Sequence, residues 1–256
     1  MAAVAGLPSG IRVHGHRLAR RIQHSFLPSE FPDLKRLEFF ALNVPSRQVS
    51  GDFYDVVPAA DGTHLLAIAD VAGKGVPAAL LSSMLQASLR TQAGDPRTVA
   101  ETLGRINALV YRSTTVSQFA TFFLARVEER TLRLSYANAG HNVPVIFGAG
   151  GSRRMLDRGG TVVGILESAT YEEETVELAP GDRVVLYTDG ISEAANAAGE
   201  MFGEDRLYQT VERLPRDLDA RGMARGILDA VGKFLDGVEP GDDMTVMVLR
   251  VLETGS

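Results

Sequence analysis

The sequence predicts an α+β domain whose sheets are mainly antiparallel. Two observations carry this reading. Apolar patterning runs as strands, two helices, a series of strands, two more helices and a last strand, without the regular strand–helix alternation of a doubly wound parallel sheet. The β-rich runs are joined by short polar turns, as hairpins are. At 256 residues the chain is long enough for one sizeable core.

Val13 to Phe26 reads as a helix with Val13, Leu18, Ile22 and Phe26 near one face, ended at Leu27-Pro28 because a residue before proline leaves the α region. Strands are expected over Leu37–Val44, Asp52–Val57 and His64–Ala69, the last a continuous apolar run between glycines. Pro77–Leu89 is a helix with proline tolerated in its first turn. Asp95-Pro96 is read as the N-cap and first residue of a helix reaching Tyr111. Phe119–Val127 and Leu132–Asn138 form a hairpin, and Val143–Phe147 continues in β character. Thr175–Leu178 and Arg183–Thr188 are read as a strand pair around Pro180-Gly181-Asp182. Helices over Glu204–Arg213 and Ala220–Leu235 precede a closing strand, Met244–Leu252. Residues 1–27 form a leading helical segment and 28–253 the main domain. The apolar stripe of the leading helix makes it a candidate regulatory element or homodimer contact, with an ordinary packing helix as the alternative.

Charge narrows the function classes. The formal net charge is −6, and the one dense basic stretch is Arg17, Arg20 and Arg21, so no nucleic-acid partner is expected. No apolar run approaches the roughly 20 residues of a membrane span, and the first residues lack the pattern of a secretory signal. Cysteine is absent, which removes thiolate catalysis and cysteine-bound metals and fits a cytoplasmic location.

Four aspartate sites share one logic. Asp70 ends the run Leu65-Leu66-Ala67-Ile68-Ala69, and Asp189 ends Val184-Val185-Leu186-Tyr187-Thr188. Asp52 follows Ser50-Gly51, and Asp242-Asp243 precedes the strand at Met244. A carboxylate at the end of a buried strand is held rigidly, and glycine beside it admits backbone, solvent or substrate. Carboxylates gathered in this way need protons or cations to coexist. Oxygen ligands without His or Cys suit Mg²⁺ or Mn²⁺. Two such ions about 4 Å apart activate a water and neutralise the phosphoryl oxygens it attacks. Taken singly, an Asp-Gly after a strand is ordinarily a turn, and convergence of the four is an inference.

In order, Ser50-Gly51-Asp52-Phe53-Tyr54-Asp55, Ala69-Asp70-Val71-Ala72-Gly73-Lys74-Gly75-Val76-Pro77-Ala78-Ala79, Ala137-Asn138-Ala139-Gly140-His141-Asn142, Tyr187-Thr188-Asp189-Gly190-Ile191-Ser192-Glu193-Ala194 and Asp242-Asp243-Met244-Thr245 closely resemble the SpoIIE/RsbU-type branch of the metal-dependent, type 2C-like protein phosphatases. The resemblance runs from about Ile22 across nearly the whole chain. It implies an αββα sandwich of two mainly antiparallel sheets flanked by helices, with two divalent cations, Mn²⁺ or Mg²⁺, at one end. By the same resemblance Asp70 bridges both ions, the Val71 carbonyl binds one, Asp189 and Asp242 hold the other, and Asp52 acts directly or through water. Asp243 is the alternative to Asp242. Arg47 stands five residues before Asp52, where related enzymes carry a phosphate-binding arginine; an exposed loop arginine is the competing reading. His141 is a general-acid candidate by chemistry, but its Ala-Gly-His-Asn setting favours a structural hydrogen-bonding role. Lys74 could meet phosphate, although Gly-Lys-Gly lacks P-loop spacing.

The implied function is hydrolysis of a phosphoserine or phosphothreonine on a signalling protein, typically a small anti-sigma-factor antagonist in this branch. The alternative is a catalytically silent or partner-activated binding module in the same pathway. A metal-dependent nuclease or phosphodiesterase is disfavoured by the acidic charge.

Overall fold

The computed structural model describes residues 21–23, 25–114 and 118–253. The helix expected over Val13–Phe26 therefore falls largely outside the described residues, although residues 21–23 and 25–26 are helical. Among the described residues the strands are β1 (Leu37–Val44), β2 (Phe53–Pro58), β3 (His64–Val71), β4 (Ala120–Glu128), β5 (Arg133–Ala139), β6 (Val145–Phe147), β7 (Arg153–Met155), β8 (Gly159–Gly160), β9 (Glu174–Glu177), β10 (Arg183–Tyr187) and β11 (Met244–Val251). The helices are α1 (Val76–Gln92), α2 (Val99–Ser113), α3 (Asp189–Ser192), α4 (Gly203–Arg213) and α5 (Ala220–Leu235).

Two sheets result. One runs β1-β11-β10-β6-β7; the other runs β2-β3-β4-β5-β8, with β9 also on β5. Pairing is antiparallel except for the short β5–β8 contact. Three apolar layers explain why. Phe39, Leu66, Ile68, Phe123, Leu186 and Leu249 fill the space between the sheets. Leu65, Ala67, Phe122 and Leu124 point outward onto Leu85, Leu89, Leu103 and Ile106 of α1 and α2. Val185, Tyr187, Val246 and Val248 face Leu207, Val211, Ala224 and Ile227 of α4 and α5. Strands β3, β4, β10 and β11 are thus covered on both faces, so they read as continuous apolar runs although they are antiparallel. The architecture is an αββα sandwich, as the resemblance implies.

Two sequence expectations are corrected. The second helix starts at Val99, not at Pro96, with Thr98 as its N-cap. Glu101 N–H donates to Thr98 Oγ1 (3.1 Å), and Thr98 N–H donates to Glu101 Oε2 (3.0 Å). This reciprocal box satisfies two helix-end donors and outcompetes Asp95-Pro96, whose aspartate pairs instead with Arg97 and Arg105. Secondly, β9 and β10 do not pair with each other: β9 lies on β5, and β10 lies between β11 and β6. The turn between them is a crossover from one sheet to the other. Asp182 accepts from Ala179 N–H (2.8 Å) and Gly181 N–H donates to the Val251 carbonyl (2.9 Å), so the turn's polar groups are met without a hairpin.

A row of cross-strand neighbours on the outer face of the first sheet runs Glu38, Arg250, Arg183, Phe147, Arg153. Glu38 pairs with Arg250 at 3.0 Å, and Glu212 pairs with Arg153 at 3.2 Å. Arg183 is only 2% exposed, and none of its guanidinium nitrogens has an acceptor among the described residues. Burial, then nearby Arg216 and Arg250, disfavour its charge, which an arginine cannot shed. Arg183→Met, which keeps the aliphatic packing, is expected to stabilise the fold in urea titration, because it removes an unpaired buried charge. A loss of stability would mean that the charge is compensated.

Candidate metal centre

Antiparallel pairing brings the four aspartate sites to one pole. Phe53 pairs with Ala69, so Asp52, just before β2, lies beside Asp70 near the end of β3. Tyr187 pairs with Val246, so Asp189, just past β10, lies near Asp242 and Asp243 ahead of β11. Face-to-face packing of the sheets then brings the two pairs together.

Hydrogen bonds between the sheets fix their approach. Asp52 is buried, and its Oδ2 accepts from Thr188 Oγ1 (2.8 Å) and Thr245 Oγ1 (2.6 Å), both of the opposite sheet. In return, Asp243 Oδ2 accepts from Gly51 N–H (2.8 Å), while its Oδ1 accepts from Ser46 N–H (2.7 Å) and Ser46 Oγ (3.0 Å). Both oxygens of Asp243 are therefore committed to holding the β1–β2 loop. Asp242 is half-exposed and its Oδ2 meets Lys74 Nζ at 2.6 Å; that ammonium also donates to the Gly241 carbonyl at 2.8 Å. Gly190 is required, since a Cβ there would overlap the Asp243 carbonyl; a Cβ on Gly51 would stand tightly, 3.2 Å from the Val71 carbonyl oxygen and 3.6 Å from Asp70 Oδ1.

The electrostatics match a centre short of positive charge. Burial, then the Asp70 charge, pushes the Asp52 carboxyl well above the usual range, against its threonine hydrogen bonds. Asp70 is pushed up to about 6 by burial and then by Asp189, with Asp242 and Asp243 adding to it and a hydrogen bond with Asp52 opposing. Asp189 is raised by burial, Glu193 and Asp242, with the Gly190 N–H and Lys74 opposing. Among the described residues no three carboxylates or imidazoles close on one point tightly enough to grip an ion as they stand. The donor set nonetheless fits hard divalent cations: oxygen donors only, mutually repelling, with the Val71 carbonyl left approachable by the missing side chain of Gly51.

Other sequence candidates sort differently. Arg47 is exposed on the β1–β2 loop, where it lines a groove of about 510 Å³ with Gln48, Val49, Gly75 and Val76. It makes no ion pair among the described residues, but its neighbour Ser46 is held by Asp243. His141 is buried. Its backbone is clasped by the Asn138 side chain, which accepts from His141 N–H (2.7 Å) and donates to the His141 carbonyl (3.0 Å). Its Nδ1 shares a 2.8 Å hydrogen bond with Thr121 Oγ1, and Thr121 is the register partner of Asp70. Burial drives the imidazole pKa down to about 3, so at neutral pH His141 is an uncharged brace behind β3.

Sequence reasoning missed Thr188 and Thr245. Both stand inside the quoted motifs, one residue before Asp189 and two after Asp243, so the signal was there without a role attached. Ser50 and Asn43 were missed as well: Asn43 Nδ2 donates to Thr245 Oγ1 (2.8 Å) and to Ser50 Oγ (3.1 Å).

A two-sheet sandwich with helices outside and aspartates gathered at one pole is the phosphatase-domain architecture of the metal-dependent, type 2C-like protein phosphatases. The SiaA-PP2C domain of Pseudomonas aeruginosa superposes with a TM-score of 0.80 at 25% identity, covering 95% of this chain and 99% of that one. The model of the Stage II sporulation protein E (SpoIIE) family matches residues 60–252, and the chain belongs to that family. Phosphoserine phosphatase RsbU of Bacillus subtilis (strain 168) is 30% identical over 234 residues, 91% of this chain and 69% of RsbU. Protein IcfG of Synechocystis sp. (strain ATCC 27184 / PCC 6803 / Kazusa) is 28% identical over 259 residues, 90% of this chain. The chain spans 40% of the length of IcfG.

Proposed function

We propose that the chain hydrolyses phosphoserine or phosphothreonine on a partner protein with the help of two divalent cations, Mn²⁺ or Mg²⁺. The observation that carries the reading is the meeting of Asp52, Asp70, Asp189 and Asp242 at one pole, with the first three held above their ordinary pKa by burial and by neighbouring carboxylates. Asp70, the Val71 carbonyl, Asp189 and Asp242 would hold the ions, and Asp52 would act directly or through water. Bound there, the ions supply an activated water and neutralise the phosphoryl oxygens. The chain's own part is orientation: Thr188 and Thr245 aim the Asp52 carboxylate, Asp243 anchors the loop that carries Arg47, and Arg47 stands ready to fork a phosphate dianion. Similarity to a phosphoserine phosphatase supports a phosphoserine substrate, and the resemblance of the motifs to the SpoIIE/RsbU-type branch supports a phosphoprotein of the anti-sigma-factor antagonist class. The absence of cysteine and of any described helix long and apolar enough to cross a membrane is compatible with a cytoplasmic protein.

Hydrolysis of p-nitrophenyl phosphate with Mn²⁺, with Mg²⁺ and with EDTA tests the proposal. Turnover that needs metal and is lost with chelator is expected; a folded protein that turns over with neither metal, yet binds Mn²⁺ calorimetrically, points to activation by the partner. Absence of both turnover and metal binding would sink the proposal.

A further inference from the structure

A glutamine carboxamide carries one donor end and one acceptor end, so it can answer both polar groups of a single residue's backbone. Gln23 does this 27 residues away in sequence. Its Nε2 donates to the Ser50 carbonyl (2.5 Å), and its Oε1 accepts from Ser50 N–H (2.9 Å). Ser50 lies between β1 and β2, where no strand partner meets its backbone. The clasp is the outer link of a closed network. Ser50 Oγ accepts from Asp52 N–H (3.1 Å) and from Asn43 Nδ2, and Asn43 reaches Thr245, which donates to the Asp52 carboxylate.

A second contact lies one turn further along the same segment. The Phe26 carbonyl accepts from Gln86 Nε2 (2.8 Å) and Arg90 Nη2 (3.1 Å). Those two side chains also bind the buried Asp55 Oδ2, at 3.0 Å and 2.6 Å. The segment thus straddles Asp52, touching the chain two residues before it and, through α1, three residues after it. Asp52 stands at the mouth of β2 rather than inside a ladder, so its direction depends on these side chains.

We propose that Gln23 is a positioning residue of the acidic centre: its carboxamide fixes the Ser50–Asp52 turn and, through that turn, the aim of the Asp52 carboxylate. Gln23 lies outside every acidic motif and touches no aspartate. It acts through Ser50. The part of the proposal that concerns metal rests on the reading of these carboxylates as a metal centre. Loss of the Gln23 carboxamide would loosen Asp52 without disturbing the core between the sheets, because Gln23 belongs to none of the three apolar layers.

The test uses the full chain with Gln23→Ala and Gln23→Leu, and with Ser25→Ala as control, since among the described residues Ser25 Oγ donates only to the nearby Ile22 carbonyl. Two quantities are read: the Mn²⁺ dissociation constant by calorimetry, and amide hydrogen exchange of Gly51 and Asp52 in metal-free protein. The second needs no metal. Neither amide is bonded to Gln23, so faster exchange there reports transmission through Ser50 rather than loss of the direct contact. Both Gln23 variants are expected to exchange at Gly51 and Asp52 at least about tenfold faster and to bind Mn²⁺ at least about fivefold more weakly, with the urea midpoint little moved. Ser25→Ala should match wild type. Unchanged exchange at Gly51 and Asp52 in folded variants overturns the proposal. If wild type takes up no Mn²⁺ the metal reading falls, and the exchange data still decide positioning. Should both variants fail to fold, Gln23→Glu, which keeps the acceptor for Ser50 N–H and loses the donor, is read by the same exchange criterion.

Discussion

Asp70→Asn is expected to lower metal-dependent turnover by about 10²–10³-fold or more, while the metal-free protein becomes more stable. Asp70 is the carboxyl on which the repulsion of Asp189, Asp242 and Asp243 falls together. Asparagine has the same shape, so β3 and its pairing with β2 and β4 should persist. What disappears is the charge. With a folded pKa of about 6 against an ordinary value of 3.8, the carboxyl favours the folded state below about pH 4, and that contribution is lost as pH rises through about 6. Metal-free wild type at pH 7 therefore carries a penalty that Asn lacks, on the order of 1–2 kcal/mol after discounting for partial exposure. The gap should close as pH falls towards 4. Added Mn²⁺ should raise the melting temperature of wild type and leave the variant nearly unmoved. Retention of metal-dependent turnover within tenfold of wild type would remove Asp70 from the centre of the site.

The second large effect separates two adjacent aspartates that sequence could not rank by structure. Asp243→Ala strips the acceptor from Ser46 N–H, Ser46 Oγ and Gly51 N–H, in a place where Asp243 is only 8% exposed. Bonds to a charged acceptor are worth about 1.5–3 kcal/mol each and are not fully additive, so a loss of about 3–5 kcal/mol is expected. For a domain of this size that corresponds to a melting-temperature drop on the order of 10 °C. Asp242→Ala removes an ion pair whose two side chains are each more than a third exposed, worth about 0–1 kcal/mol. Its effect should appear instead in Mn²⁺ affinity. Urea titration and calorimetry on the two variants test the division: if Asp242→Ala unfolds the protein and Asp243→Ala only weakens metal binding, the roles are exchanged.

The same residues show why some of the structure was legible beforehand and some was not. Strand Leu37–Val44 and helix Ala220–Leu235 were bounded correctly because each carries its own signal, a β-rich apolar run and a 3.6-residue stripe. The start of α2 was misplaced because two capping signals stand three residues apart, and only the reciprocal bonds of Thr98 and Glu101 decide between them. The Pro180–Asp182 turn looked like a hairpin, since local chemistry fixes a bend and not the sheet that receives the next strand. At the acidic pole the candidates were legible as strand-end aspartates. Their division of labour was not. Asp243 is committed to partners 197 and 192 residues away, and Asp52 is aimed by threonines 136 and 193 residues away. Such contacts exist only once the two sheets have met.

The crossed hydrogen bonds from Thr188 and Thr245 to Asp52, and from Gly51 to Asp243, bear on how such a domain can change over evolutionary time. They put the chemistry and its bracing at one pole, whereas the β2–β3 and β4–β5 hairpin turns lie at the other. Strands β2, β3, β10 and β11 therefore each have one end held at the acidic pole and the other away from it. Insertions, fusions and new surface loops can accumulate at the far pole without crossing the acidic centre, which gives the scaffold room to acquire new inputs while its chemistry stays fixed.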